Sequence, residues 1–302
     1  MAIQREIWRP DIIEFLERDN EFMRMCVNAD EYVVQGKIVH IPQAGTAANI
    51  ERNRASLPAP ITKRTDTAIT YTLNEYTSDP ILLPDADTKQ LSYDKRQSVL
   101  RSKFAKMREF VANDMLYEWA RNIPAANKLK TTGSSTHTAT APGGTSTRKN
   151  LIEADLRAAA KLLNKANVSR DGRYILVDSD LLDQLYASLT AAQLYAFKDS
   201  VDVKTGIIGK LWGFNIMERS NVLVFDSSDA IKLQEAAGAT GDNVAALFWQ
   251  MDMVERAYGD INLFEQLGAP EFYGDIYSCN AYLGGRARRE DNIGVGVLIA
   301  DA

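Results

Sequence analysis

The 302-residue chain has only two cysteines and two histidines, and what these cannot build narrows its chemistry from the start. Cys26 and Cys279 stand far apart in unrelated contexts, with no second pair to make a disulfide framework or a metal site, so they read as buried free thiols. His40 alternates within a strand-like segment and His137 sits in a polar, flexible stretch, so no histidine pair falls at metal or triad spacing. No G-x-S-x-G elbow occurs. Positive charge is also short: 35 Lys and Arg stand against 40 Asp and Glu, a net charge of −5. A dedicated nucleic-acid binder needs clustered cations, so contact with nucleic acid is expected to be local or weak. No run approaches the ~20 apolar residues of a membrane span. The start, MAIQREIWRPDIIEFLERD, lacks the basic head and apolar centre of a signal peptide.

What is present suits a folded chain, with 45% hydrophobic and 25% charged residues. The length suggests two modest units or one body with extensions. Residues 1–30 read as an arm with a short amphipathic helix carrying Ile12, Ile13, Phe15, Leu16, Phe22, Met23 and Met25, with Pro10-Asp11 as its start. YVVQGKIVHIP, residues 32–42, is β-branched and reads as a strand. A polar excursion punctuated by Pro58 and Pro60 follows, and then TAITYTLNEYT alternates, with Ile69, Tyr71 and Leu73 on one face. Two strands around a long polar excursion make a projecting hairpin. An isolated two-stranded ribbon is marginal in water, so it needs a partner surface, either its own chain or a neighbouring copy.

Between Ser92 and Asn122 lies the strongest helical pattern. Leu100, Phe104, Met107, Val111, Met115 and Trp119 follow one another at steps of three or four, one apolar stripe ended by Pro124. Residues 123–150 show no periodicity and carry four basic and no acidic residues, Lys128, Lys130, Arg148 and Lys149, and read as a surface loop or a boundary. Asn150 and Glu153 then stand at capping-box spacing before an apolar helical face of Ile152, Leu156, Ala159 and Leu163. A turn at Asp171-Gly172, a strand Tyr174–Val177 and a helix after Ser179 make a mixed α/β unit, continued by strand-like pieces at 214–217, 222–225 and 245–249. The end reads as a long strand, a turn at Glu290-Asp291-Asn292 and a return strand of Val295, Val297 and Ile299.

Two stretches invite a catalytic reading. TGIIGKLWGFNIM has three glycines and a lysine, but the spacing between Gly206 and Gly209 is too short for a phosphate loop and Leu211 stands where a hydroxyl is needed. It runs into a strand, whereas a dinucleotide fingerprint opens a helix. Asp178-Ser179-Asp180 at a strand end is as good a helix N-cap as a catalytic cluster. An α/β hydrolase-like enzyme using Asp178 remains as an alternative of another class.

The order of arm, projecting hairpin, very long helix, α/β unit and returning strands resembles the major capsid protein of tailed bacteriophages, the Hong Kong 97-type shell fold, across essentially the whole chain. KIVHIP, GKLWGFNIMERSN and YLGGRARREDNIGVGVL carry the local likeness. The resemblance implies an α+β fold: an N-terminal arm at 1–30, an extended loop at 31–84, a peripheral domain with spine helix and surface loop at 85–149, an axial domain at 150–262, and returning peripheral strands at 263–302. It implies a structural protein without enzymatic activity or cofactor. Copies would assemble into pentameric and hexameric capsomers of an icosahedral shell around double-stranded DNA. Assembly would take place in the host cytoplasm with a portal and a separate scaffolding protein as partners and no membrane. Ile12, Phe15, Phe22, Ile69, Tyr71 and Leu73 are the expected contacts between subunits, and Lys128, Lys130, Arg148 and Lys149 a local patch for DNA. Some members join subunits covalently through a Lys and an Asn, and Lys63 and Asn292 are of the right types in roughly the right regions. A compartment shell of the encapsulin type is the alternative within the same fold.

Overall fold

The computed structural model describes residues 20–33, 38–45, 47–55, 57–84, 95–202, 205–233 and 235–301. Ile12, Phe15 and the part of the expected long helix before Lys95 lie outside them.

A short 3-10 turn, Glu21–Arg24, leads to β1 (Val27–Asn28). The projecting hairpin is β2 (Ile38–Gln43) paired antiparallel with β3 (Thr67–Thr72). TAITYTLNEYT is not one strand: it breaks at Leu73, and β4 (Asn74–Thr77) and β5 (Ile81–Pro84) join another sheet. Leu73 is turned inward between the two ladders, so alternation carries on through a change of partner and conceals it. Helix α1 spans Lys95–Ala120, 26 residues, or ~39 Å at ~1.5 Å per residue. Its stripe is buried throughout, from Leu100 to Trp119 at no more than 9% exposure.

The stretch after α1 is more ordered than its composition suggests, with short strands β6 (Lys128–Lys130), β7 (Thr136–Thr138) and β8 (Thr147–Lys149). Three-residue strands are too short to show a period. Helix α2 (Glu153–Lys165) starts from Ile152, whose side chain offers no acceptor. Asp155 ties this start down, accepting from Ile152 N at 3.1 Å, Thr132 N at 3.2 Å and Thr132 Oγ1 at 2.6 Å. Asn150, expected as the cap, instead meets His137 Nδ1 at 3.0 Å.

The chain continues through β9 (Arg173–Asp178), α3 (Ser179–Ser188), α4 (Ala191–Lys198), β10 (Ile207–Leu211), β11 (Phe214–Arg219), β12 (Leu223–Phe225), β13 (Ile231–Lys232) and β14 (Asn243–Gln250). It ends with β15 (Val254–Ala269), β16 (Gly274–Ala287) and β17 (Val295–Ile299). Two large sheets result. One holds β1, β15, β16, β4 and β5; the other has the order β10-β11-β9-β14-β12-β13, with β17 on the far side of β14 and β6 beyond it.

The expected boundaries at 262 and 263 differ from this division. β15 leaves the second sheet's territory at Val254, and β17 does not return to β16 but enters beside β14. All five β17 residues are buried, which a strand covered on both faces requires.

Helix α1 lies between the sheets. Its stripe shares one core with Leu176, Leu247, Trp249, Val297 and Ile299 of the larger sheet and with Leu263, Tyr277 and Leu283 of the smaller. The opposite face of the larger sheet, including Ile175, Val177, Ala246 and Phe248, is covered by Leu156 and Leu163 of α2 and Leu181 and Leu185 of α3. Trp119 anchors the junction: its indole N–H donates to Glu255 O at 3.0 Å, and its ring lies 5.9 Å from Phe22 and 5.6 Å from Trp249.

Candidate assembly surfaces

The hairpin leaves the body at a polar and apolar root. Leu73 and Val39 are buried with Ala29 and Ala257, with Tyr71 and Tyr282 packed beside them. Gln43 Nε2 donates to Arg288 O at 2.6 Å, and the Arg288 guanidinium pairs with Glu255 at 3.2 Å. Burial raises the Glu255 carboxyl above the usual carboxylate range against the pull of Tyr71 and Arg288. The root is thus fixed to β15 and to the end of β16.

Beyond the root the ribbon is bare. Every described residue from 44 to 68 is exposed except Gly45 and Arg54, which are half-buried. Ile50, Leu57 and Ile61 stand 95%, 83% and 100% exposed. Sequence reading passed over these three because each is a lone apolar residue in a polar stretch with no period around it. Their signal is location: large aliphatic residues at the far part of a ribbon that has no core of its own.

Of the subunit-contact residues expected from sequence, Phe22, Ile69 and Leu73 are buried within the chain and Tyr71 is half-buried at the root. Phe22 is 2% exposed and sits edge-on to Trp119, with Arg219 over its ring at 5.8 Å. Ile69 is 8% exposed opposite Ile41, and Leu73 belongs to the root. Ile12 and Phe15 lie outside the described residues. The four cations expected as a DNA patch have partners within the chain. Lys128 donates to Asp229 O at 2.6 Å, Lys130 pairs with Asp229 at 3.3 Å and Asp301 at 3.6 Å, and Lys149 pairs with Asp301 at 2.6 Å. Arg148 is buried and bonds Asn243 and the carbonyls of Thr145 and Thr147. The loop's composition showed cations without the aspartates that approach from β17 and the turn after β12.

Asn292 is buried and its side-chain amide donates to Asn122 O at 2.9 Å, so it fixes the turn after β16 to the end of α1. Asp178 accepts from Asp180 N at 3.4 Å and caps α3; burial raises its carboxyl. Among the described residues no three of His, Cys, Asp and Glu come together to hold a metal. No helix of the described residues is long and apolar enough to cross a membrane. Burial pushes the Cys26 thiol up to about 12, and Cys279 is buried and free as well. The glycine-rich stretch is a two-residue hairpin turn, with φ of 51° at Trp212 and 84° at Gly213, joining β10 to β11. Phe214 and Ile216 of β11 are fully buried.

A long helix held between a small sheet with a projecting ribbon and a larger α/β unit is the Hong Kong 97-type shell fold. Solved structures share it over nearly the whole chain. The capsid of Ralstonia phage GP4 matches with a TM-score of 0.63 at 13% identity, covering 92% of this chain and 87% of that one. A structure from Mycobacterium phage Che8 matches with a TM-score of 0.56 at 18% identity, covering 95% and 89%. An acidic stable capsid of Helicobacter pylori bacteriophage KHP30 matches with a TM-score of 0.61 at 11% identity, covering 93% and 88%. A search of curated proteins gave no match. Residues 12–262 match the family described as phage capsid protein, and the chain belongs to it. It is a structural protein of the capsid; neither the compartment-shell nor the hydrolase alternative finds support.

Proposed function

We propose that copies of this chain form pentameric and hexameric capsomers that close an icosahedral shell around phage double-stranded DNA, with the hairpin of each copy laid across its neighbour. The observation that carries this is the bare ribbon with Ile50, Leu57 and Ile61 almost fully exposed. Covering each side chain is worth roughly 1.5–3 kcal/mol, and nothing among the described residues covers them. A portal, a separate scaffolding protein and assembly in the host cytoplasm belong to the same reading, as does loose, salt-screened contact with the genome.

The test is electron microscopy of the purified protein, with and without scaffolding protein. Closed shells are expected from the wild type, and free capsomers or monomers from the triple variant I50S/L57S/I61S with an unchanged circular dichroism spectrum. Wild-type protein that stays monomeric or dimeric under every salt and scaffold condition would overturn the reading.

A further inference from the structure

The larger sheet is electrically polar from end to end. β9 and β11 run parallel, with Tyr174 opposite Asn215 at one end and Asp178 opposite Arg219 at the other, roughly 13 Å apart at ~3.3 Å per residue. At the first end a concavity of about 720 Å³ is lined by Arg157, Lys161 and Lys165 of α2, Arg170 of the following turn, and Trp212 of the β10–β11 turn. All four cations are exposed, and none pairs with a described carboxylate. Trp212 is 46% exposed; its indole N–H donates to Glu153 at 2.9 Å and Arg157 lies 5.9 Å over its ring. Glu153 is further occupied by Gln193 at 2.8 Å, and Asp171 stands exposed at the adjoining turn. In a chain of net charge −5 this is a marked local excess of positive charge.

At the second end the sign reverses. Asp180 and Asp183 are exposed on the first turns of α3, and Glu218, exposed at the end of β11, accepts from the Ser179 hydroxyl at 2.6 Å. None of the three carboxylates pairs with a described cation.

We propose that these two ends are the complementary halves of one contact, the cationic concavity of one copy receiving the acidic end of α3 and β11 of the next around the capsomer ring. A second copy is the occupant that the charges favour. Head-to-tail contacts, in which two different patches of the same chain meet, are what close a ring. A two-fold contact would set cations against cations, which costs several kcal/mol. Trp212, an aromatic side chain amid the stems of arginine and lysine, supplies the desolvated anchor that such a contact needs. The inference rests on the capsomer reading above and specifies one surface within it.

Charge reversal on each side, separately and together, tests it. R157E/K161E and D183K/E218K, all exposed positions, are each expected to lower shell or capsomer yield at low salt at least about tenfold, the equivalent of ~1.4 kcal/mol. The combined variant is expected to recover most of the lost yield. Circular dichroism melts of the subunits show that each variant folds, and the milder R157Q/K161Q, expected to flatten the salt dependence of assembly, provides a second reading. Reversals that assemble like the wild type, or a folded combined variant that recovers nothing, would overturn the proposal. Reversals at the basic end that leave shell yield intact but lower retained DNA would assign the concavity to the genome and likewise overturn it. Absence of shells from the wild type run alongside counts against the capsomer reading instead.

Discussion

Gly285→Ala puts the most severe demand on the junction between spine helix and sheet. Gly285 lies in β16 where α1 crosses, and a methyl group there would meet Met115 Sδ, the Glu255 carbonyl oxygen at 2.6 Å and Trp119 Nε1 at 3.0 Å. The thioether can swing away, but the carbonyl belongs to the β15–β16 ladder and receives the Trp119 indole bond at 3.0 Å. Overpacking of this kind costs about 1–3 kcal/mol, and weakening one buried hydrogen bond adds about 0.5–1.5 kcal/mol. The expected loss is therefore roughly 2–4 kcal/mol, seen as a melting temperature lower by about 5 °C or more in a chain of this size. The adjacent Gly284→Ala is the internal control. Its methyl would meet the Leu73 Cδ2 methyl at 2.8 Å, a flexible end, and the Leu73 Cα only at 3.3 Å. Thermal melts of the two variants by circular dichroism should rank Gly285→Ala well below Gly284→Ala. Equal melts, or an unchanged Gly285→Ala, would show that the crossing has slack and that this close approach does not hold the junction.

At Gly213 space is not limiting: nothing lies within 4 Å of an added methyl, but φ is +84°. Gly213→Val should lower stability by about 1–2 kcal/mol or more and Gly213→Asn by distinctly less, with nucleotide addition changing neither melt. Asp155→Ala removes the acceptor shared by Ile152 N and Thr132 and should cost about 2–3 kcal/mol; hydrogen exchange should quicken first around Thr132 and the start of α2. Asp226 accepts from Ser228 N, Ser228 Oγ and Ala230 N at 2.7–2.9 Å, and these bonds, the Ser228 hydroxyl first, hold its carboxyl below the usual 3.8. A depressed carboxyl stabilises the fold above its unfolded value and loses that contribution as pH falls through its lowered folded value. Asp226→Asn should therefore bring the stabilities at pH 6 and pH 3 closer together, and an unchanged difference would contradict the assignment.

Local periodicity made the spine helix legible, because a stripe at steps of three and four over twenty residues has only one reading, and the hairpin legible, because alternation brackets a polar excursion. Sheet membership was not legible. Leu73 keeps the alternation of β3 while the chain changes partner, and Val295, Val297 and Ile299 look alike whether they return to β16 or enter beside β14. These choices are made by pairing across about 50 residues for β17 with β14 and about 200 for β4 with β16, which no local pattern records. That Phe22, Ile69 and Leu73 pack inside their own chain was not legible for a related reason. An apolar residue marked for a neighbour and one marked for the chain's own core are chemically the same, and only burial separates Phe22 from Ile61. Cations on a loop look free until the fold brings Asp229 and Asp301 to them.

The contact between Trp119 and Trp249, ring centres 5.6 Å apart with planes inclined at 51°, also makes the junction observable. One indole rides on the spine helix and the other on the larger sheet, so their electronic transitions couple with a strength and sign set by the relative pose of those two bodies. Near-ultraviolet circular dichroism of the unlabelled protein therefore carries an intrinsic goniometer. A subunit that turns its helix against its sheet on entering a shell will announce the rotation as a change in that signal, while one that docks rigidly will leave it unaltered.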